Sequence, residues 1–135
     1  MKFKFIGNAG GIFTGSKGTK ILCDPWIVDG VFESAWYHYP PLKTKLSDIQ
    51  NVDGIYVSHI HPDHYDERHF DFPKDIPLII LNKGPNFLKK NLINKGYSNF
   101  IEIKNDQTVQ FKEFKLTLYK PFTKHIFEES LIANR

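Results

Sequence analysis

The sequence predicts an α/β fold with a mixed β-sheet. Short apolar runs, separated by glycine and proline, recur along the chain and indicate strands. One of them, IPLIIL, has no polar alternation, which is typical of a strand covered on both faces of a sheet. An amphipathic segment separates that run from the run FIEI, so the order strand, helix, strand predicts a crossover unit.

Size and composition indicate one globular domain that spans residues 1–135. The chain is 41% apolar and 15% aromatic and contains no repeat or low-complexity run. Its net charge of +3 is modest and its lysines are scattered, so we expect no nucleic-acid surface. A single cysteine excludes an internal disulfide, and no apolar run has the length of a signal peptide or a membrane span. We therefore expect a cytoplasmic protein that does not contact membranes.

Three strands are predicted at the N-terminus. In KFKFI, lysines alternate with Phe3 and Phe5, which is the period of a half-buried strand, and GNAGG then makes a tight turn. A second strand lies near residues 12–14 and turns back through GSKG. The third, in TKILCDPW, ends at Asp24, because Pro25 cannot continue a hydrogen-bonded ladder.

An aromatic, proline-bearing loop is predicted for residues 26–45, which show neither helical nor strand periodicity. Its aromatic side chains can form either the wall of a pocket or an ordinary hydrophobic lid or interface. These residues are Trp36, Tyr37, His38 and Tyr39. After a short turn or helix in LSDIQNVD, a compact apolar strand over Ile55–Ser58 leads into a group of histidines.

The C-terminal half adds one helix and one hairpin. In GPNFLKKNLINKGY, apolar residues recur at helical spacing and Gly96 suits the position just after the helix. TVQFKEFKLTLYKPF alternates like a hairpin around KE, and Pro121 ends its last strand. A sheet that is apolar on both faces needs a layer on each, and the helix covers one. We therefore expect either self-association or a missing C-terminal half.

The main functional signal is the stretch YVSHIHPDHYDERH, which holds four of the six histidines. His59 and His61 are two residues apart at the end of a strand, so their side chains leave the backbone on the same side and can reach one ion. Pro62 forces a bend. Asp63 and His64 follow on the turn, close enough to bind a second ion or to complete the first set of ligands.

This donor set predicts a divalent metal, with zinc as the first candidate and manganese or iron as alternatives. Imidazole suits zinc, iron, nickel and copper, and an adjacent carboxylate favours a hydrolytic or oxidative site. One cysteine is too few for a structural thiolate site. The alternative interpretation, surface histidines in a polar turn, is disfavoured because four ligand-type residues fall within six positions after an apolar strand.

These residues resemble a known family. HIHPDH is similar to the HxHxDH motif of the metallo-β-lactamase superfamily, whose fold is two β-sheets between layers of helices. GNAGG…KILCDPWI resembles the members similar to ascorbate-phosphate lactonases. DPWIVDGVFESAWYHYPP with DGIYVSHIHPDH resembles the hydrolase-like domain of CMP-N-acetylneuraminate hydroxylases. The resemblance extends to about Phe122. It implies a metallo-β-lactamase-like mixed sheet with flanking helices, that is, half of an αββα sandwich.

The resemblance also implies a ligand set. His59 and His61 would bind a first metal, with His125 of YKPFTKH as its third ligand, and Asp63 and His64 would bind a second metal. The superfamily completes its site with a bridging aspartate and a further histidine, which the tail IFEESLIANR lacks. The chain is therefore expected to be incomplete at its C-terminus or to have an incomplete site.

The implied activity is metal-dependent hydrolysis of a small-molecule substrate by metal-bound hydroxide. Asp63 would orient the nucleophilic water, and Asp24 would support the metal ligands from behind. The expected substrate is an ester, lactone or phosphoester, with a phosphorylated or nucleotide sugar favoured. The alternative is a non-catalytic metal-binding or protein-interaction module.

Overall fold

The computed structural model describes residues 1–119, which form a six-stranded sheet and a separate two-stranded hairpin. The strands of the large sheet are β1 (Lys2–Gly7), β2 (Gly10–Thr14), β3 (Lys20–Cys23), β4 (Gly54–Tyr56), β5 (Leu78–Leu81) and β6 (Phe100–Ile103). They lie side by side in chain order. The pairs β1–β2 and β2–β3 are antiparallel, whereas β3–β4, β4–β5 and β5–β6 are parallel. The predicted mixed sheet of an α/β fold is confirmed.

The helical elements are few in residues 1–119. Helix α2 (Phe87–Asn94) connects the parallel strands β5 and β6, which confirms the predicted crossover unit. It begins at Asn86, whose side chain accepts a hydrogen bond from the backbone of Lys89. It ends before Gly96, whose φ of 89° is the left-handed conformation that glycine adopts readily. The shorter elements are α1 (Val31–Ser34) and a 3₁₀ turn at Leu46–Asp48.

One face of the sheet carries the larger hydrophobic core. Buried side chains of β3, β4 and β5 pack there against α2 and against the aromatic segment that follows the histidines. The aromatic residues of that segment are Tyr65, Phe70 and Phe72, and Tyr97, which follows α2, packs against Phe70. Helix α2 contributes Leu88 and Leu92, whereas Ile93, at a position where helical spacing predicted an apolar contact, is half exposed.

The opposite face is covered in part by the hairpin of β7 (Thr108–Phe111) and β8 (Phe114–Thr117). Phe111 packs there with Ile21, Ile79 and Ile103. The hairpin therefore supplies part of the layer that this face was expected to need, because it folds back across the sheet instead of extending it. Glu113 of its turn accepts a hydrogen bond from the backbone N–H of Lys17 at 2.9 Å.

The hairpin does not cover β1, which lies at one edge of the sheet. Phe3 and Phe5 are 54% and 63% exposed, although their alternation with lysines predicted a buried face. The alternation is real, but the face that it defines meets solvent at this end of the sheet. None of the helices among residues 1–119 has the length and apolarity needed to cross a membrane.

Candidate metal centre

The candidate centre lies at the carboxyl ends of the parallel strands β3 and β4. Asp24 follows β3 directly, and Ser58 and the histidines follow β4. The backbone N–H of Asp24 donates to the carbonyl of Tyr56 at 3.0 Å, which continues the pairing of the strands into the site. Because both strands run in the same direction, the residues that leave them meet at one edge of the sheet.

The structure brings His59 and His61 together on one side of the chain, as their spacing predicts. Nε2 of His59 lies 2.9 Å from Nδ1 of His61, and the ring centroids are 4.5 Å apart. The turn after Pro62 is closed by the N–H of His64, which donates to the carbonyl of His61 at 2.9 Å. That turn returns the His64 ring to the His59 ring, with centroids 4.1 Å apart.

Asp63 and His64 form the second pair. An oxygen of the Asp63 carboxylate lies 3.4 Å from Nε2 of His64, and both side chains are mostly buried. The other ring nitrogen of His64, Nδ1, lies 3.0 Å from Oδ2 of Asp24. His64 is therefore held between two carboxylates, one on each side of its ring.

Asp24 lies behind the histidines and is only 6% exposed. Its Oδ1 accepts the backbone N–H of Ser58 at 2.7 Å, and its Oδ2 accepts the Ser58 hydroxyl at 2.8 Å. Metal-binding histidines commonly donate their second ring N–H to a carboxylate, which orients the ring. The contact between Asp24 and His64 has this form.

Burial and nearby charges together shift three pKa values in this region. Burial is the largest single influence on His64 and lowers its pKa, but the hydrogen bond and charge of Asp24 and the charge of Asp63 outweigh it, so the pKa is raised. Burial, assisted by the charge of Asp24, raises the pKa of Cys23 to about 12 and that of Tyr56 to about 12. The neutral thiol is therefore the favoured form of Cys23 at neutral pH.

The donor chemistry of these residues fits a divalent ion. Nε2 of His61 is buried and has no hydrogen-bond partner within residues 1–119. Two nitrogens that share a tetrahedral zinc ion lie about 3.3 Å apart, because each Zn–N bond is about 2.0–2.1 Å. The 2.9 Å separation of the His59 and His61 nitrogens is slightly shorter than that. No group of three or more His, Cys, Asp or Glu side chains in the described part of the chain has the arrangement of a complete ligand set.

The site therefore consists of two donor pairs, His59 with His61 and Asp63 with His64. The predicted third ligand of the first pair, His125, lies outside the described residues. Asp24, predicted to support the ligands, lies in contact with His64.

The aromatic loop contributes a residue that the sequence did not indicate. The ring of Phe32 approaches His61 edge-on at 6.5 Å between centroids, and Trp36 packs behind Phe32 at 4.7 Å. His38, by contrast, is buried against Trp26, with Nδ1 2.6 Å from Asp29. Phe32 has a φ of 53°, in the left-handed region, which sequence periodicity cannot reveal.

Ser58 is the other residue that sequence reasoning missed as part of the site. Its hydroxyl lies 2.9 Å from Nδ1 of His59 and 3.2 Å from Nδ1 of His64. Its position directly before the histidine motif was the available signal. The contact with Asp24 depends on strand pairing and could not be seen in the sequence.

A shallow pocket adjoins the histidines at the N-terminal end of α2. Its polar lining includes Ser58, His59, Lys83 and Asn86, and Leu81 and Phe87 are among its apolar residues. Its free volume of about 10 Å³ is about that needed for one water molecule, so it is a small recess beside the candidate metal ligands.

The strand order and connections of the chain are those of the metallo-β-lactamase fold. The crystal structure of isothiocyanate hydrolase from Delia radicum gut bacteria matches with a TM-score of 0.62 and 24% identity, over 84% of this chain and 44% of that one. No family model matches the sequence.

Sequence relatives fall among enzymes and iron–sulfur proteins. A Mycolicibacterium smegmatis protein described as a Rieske 2Fe-2S iron-sulfur protein is 33% identical over 105 residues, 76% of this chain. The mitochondrial N-acyl-phosphatidylethanolamine-hydrolyzing phospholipase D of Saccharomyces cerevisiae is 30% identical over 75% of this chain. The cytidine monophosphate-N-acetylneuraminic acid hydroxylase of Asterias rubens is 28% identical over 64% of it. The predicted resemblance to the hydroxylases is confirmed.

The chain is much shorter than these relatives. It spans 20% of the Mycolicibacterium protein, 22% of the yeast phospholipase and 15% of the Asterias hydroxylase.

Proposed function

We propose that this chain supplies metal-binding residues of a metal-dependent hydrolase. His59 and His61 would hold one divalent ion, with His125 as a third ligand, and Asp63 and His64 would hold a second. The supporting observation is the convergence of these side chains at the carboxyl edge of the sheet. Nε2 of His59 lies 2.9 Å from Nδ1 of His61, Asp63 lies 3.4 Å from Nε2 of His64, and the His59 and His64 ring centroids are 4.1 Å apart. Zinc is the first candidate, and manganese and iron use the same kinds of ligand.

The chemistry of the site follows from the charges of its side chains. A divalent ion bound in such a set acts as a Lewis acid on a carbonyl or phosphoryl oxygen and makes a nucleophile available at neutral pH. The Asp63 carboxylate lies beside His64, where it can accept a proton from a water molecule and orient it towards a substrate. Asp24 keeps the His64 ring in place, and the Phe32 ring limits solvent access on the His61 side.

The substrate class that the site supports best is a phosphoester, with an ester or lactone of a phosphorylated or nucleotide sugar as a related form. Lys83 is among the residues that line the pocket beside His59 and adds a positive charge near the candidate ligands, which favours an anionic substrate. Two sequence relatives carry phosphate compounds in their names, phosphatidylethanolamine and cytidine monophosphate. The alternative, a non-catalytic metal-binding or protein-interaction module, is supported by the lack of a complete ligand set within residues 1–119.

The organisation and location of the chain belong to the same proposal. We propose one domain over residues 1–135, in which the donors still required for catalysis come from a further segment or a second copy. The single cysteine supports a reducing compartment, for which the cytoplasm is the simplest choice.

Metal stoichiometry and activity test this proposal. The purified chain is loaded with Zn²⁺ or Mn²⁺, its bound metal is measured by mass spectrometry, and phosphodiester and lactone substrates are screened. His61→Ala is expected to lose metal and activity, whereas His69→Ala, a matched change at an exposed histidine outside the cluster, is expected to keep both.

The outcomes separate the two functions. Two bound ions with activity that depends on His61 support the hydrolase. One ion or none, with no turnover, supports the non-catalytic module. Activity that survives His61→Ala shows that the chemistry lies elsewhere.

A further inference from the structure

The Ser58 hydroxyl occupies a position between three groups of the candidate centre. Its Oγ lies 2.8 Å from Oδ2 of Asp24, 2.9 Å from Nδ1 of His59 and 3.2 Å from Nδ1 of His64. A serine hydroxyl has one hydrogen to donate and two lone pairs that accept. Only one of the three neighbours can therefore receive its hydrogen.

Asp24 is the neighbour that must receive it. An ionised carboxylate only accepts hydrogen bonds, so two oxygens 2.8 Å apart would repel each other without a hydrogen between them. A hydrogen bond from a hydroxyl to a carboxylate is also stronger than one from a hydroxyl to a neutral imidazole. The Ser58 backbone N–H on Oδ1 of the same carboxylate, at 2.7 Å, fixes the geometry of this pair.

With its hydrogen committed to Asp24, Ser58 can only accept from the imidazoles. Nδ1 of His59, 2.9 Å away, must then carry a hydrogen. Nδ1 of His64 faces Oδ2 of Asp24 at 3.0 Å and the Ser58 oxygen at 3.2 Å, which are both acceptors, so it must carry one too. When these rings are neutral, each therefore has its lone pair on Nε2.

We propose that Ser58 is a positioning residue that selects the Nδ1–H tautomer of His59 directly and, together with Asp24, that of His64. This role rests on the proposed function, because the selected tautomers direct the lone pairs of both rings to the side where the other candidate metal ligands lie. Nε2 of His59 faces His61 and Nε2 of His64 faces Asp63. A metal ligand must present a lone pair, so the wrong tautomer would have to be rearranged before binding.

The same assignment of hydrogens also determines which ring nitrogen of His61 carries a hydrogen. If Nε2 of His59 carries a lone pair, Nδ1 of His61 donates to it at 2.9 Å. In the metal-free protein, neutral His61 then has its lone pair on Nε2, which is the buried nitrogen without a partner in the described part of the chain. This state is unfavourable, because a buried acceptor is left unsatisfied. A metal ion shared by Nε2 of His59 and Nδ1 of His61 would require the hydrogen to leave Nδ1 of His61, so metal binding changes the protonation of this ring.

Imidazole ¹⁵N chemical shifts test the tautomers directly. The wild-type protein is treated with a chelator, and two-bond ¹H–¹⁵N spectra are recorded at a pH where the histidines are neutral. His59 and His64 are both expected as Nδ1–H tautomers. In Ser58→Ala, His59 is expected to become a tautomer mixture while His64, still held by Asp24, remains Nδ1–H. Ser58→Thr keeps the hydroxyl and is expected to behave as wild type.

Zinc affinity provides the second measurement. Competition with a chromophoric chelator is expected to show about a 10- to 100-fold loss of zinc affinity in Ser58→Ala and recovery in Ser58→Thr, since residues that support metal ligands have effects of this size. Wild-type His59 found as the Nε2–H tautomer overturns the inference without any variant. Unchanged tautomers and affinity in Ser58→Ala overturn it as well.

The failure of the proposed function can be told apart from the failure of this inference. Wild-type protein that binds no zinc contradicts the metal centre, but the tautomers of its chelator-treated form still decide the role of Ser58. Protein that binds zinc with His59 as the Nε2–H tautomer retains the centre and rejects the role of Ser58.

Discussion

At the scale of single residues, Asp24 links the residue before the histidine motif to one of the candidate ligands. Its carboxylate accepts from the backbone and the hydroxyl of Ser58 and holds Nδ1 of His64. Its own φ of 40° turns the chain sharply after β3. A short polar side chain tolerates this conformation better than a branched one does.

Asp24→Asn should weaken both the site and the fold. An amide has one acceptor oxygen, so its NH₂ group would face donors that now meet the second carboxylate oxygen. We expect zinc affinity to fall about 10- to 100-fold and the free energy of unfolding to fall by about 1–3 kcal/mol. Chelator competition and urea unfolding measure the two effects. Asp71→Asn, at an exposed carboxylate, is the matched control and should change neither quantity.

Asp66 should make the stability of the chain depend on pH. Burial, the largest influence, raises the pKa of Asp66, but hydrogen bonds from Arg68 and His69 outweigh it and the pKa is lowered. Because the pKa of Asp66 is lower in the folded state than in the unfolded state, the ionised carboxylate stabilises the fold at pH values above the unfolded-state pKa of about 4. This stabilisation is lost as the pH falls through the folded-state pKa.

Urea unfolding of wild type and Asp66→Asn isolates this effect from those of other carboxylates. The difference in unfolding free energy should be present at pH 7 and shrink steadily as the pH falls below about 4. A difference that stays constant or grows in acid would show that Asp66 acts through packing and not through its charge.

At the scale of elements, the β7–β8 hairpin determines how the second face of the sheet is covered. Its strands make a separate two-stranded sheet, and Phe111 reaches across to the large sheet above Gly54. Side chains of the hairpin turn add polar contacts, since Lys112 pairs with Asp53 and Glu113 binds the β2–β3 turn. Packing and polar contacts therefore hold the hairpin in one position.

Gly54→Ala tests this packing. A Cβ atom at position 54 would lie 2.9 Å from the Phe111 ring. This is closer than two non-bonded carbon atoms approach, so the ring must shift. We expect the free energy of unfolding to fall by about 1–3 kcal/mol. Gly84→Ala, at a position with open space, is the control.

A double-mutant cycle with Phe111→Leu shows whether the clash is with this ring. The smaller side chain should make the Gly54→Ala substitution less destabilising, so the two effects should not be additive. Additive effects would place the strain of Gly54→Ala elsewhere in the chain.

At the scale of the whole molecule, the sheet ends in an exposed aromatic surface on β1. Phe3 and Phe5 point to the same side of the sheet as the hairpin but lie beyond its reach. An edge strand with exposed aromatic side chains offers both backbone hydrogen bonds and apolar contact to another chain.

We expect the chain to self-associate through this surface, with an association constant that Phe5→Lys reduces. Sedimentation velocity over a range of concentrations measures it. Tyr39→Lys, at a side chain that is 97% exposed but lies in a loop, is the matched control and should leave association unchanged. Wild-type protein that stays monomeric at every concentration would contradict the expectation.

Much of the fold could be predicted because its signals are local. Alternation and apolar runs predicted strands in each part of the described chain where the structure has one, and Asn86 and Gly96 mark the ends of α2. The two-residue spacing of His59 and His61 placed their rings side by side, because alternate residues of an extended chain share a face. These features depend on neighbours a few positions away.

The strands, the helix and the proximity of His59 to His61 could therefore be predicted from the sequence alone. The pairing of whole elements decided that Asp24 meets Ser58, 34 positions later, because this contact exists only when β3 pairs with β4. It also decided that Phe3 meets solvent, because the period of a strand shows which side chains share a face and says nothing about what covers that face. Burial and long-range polar contacts depend on the packing of whole elements, and local sequence does not specify that packing.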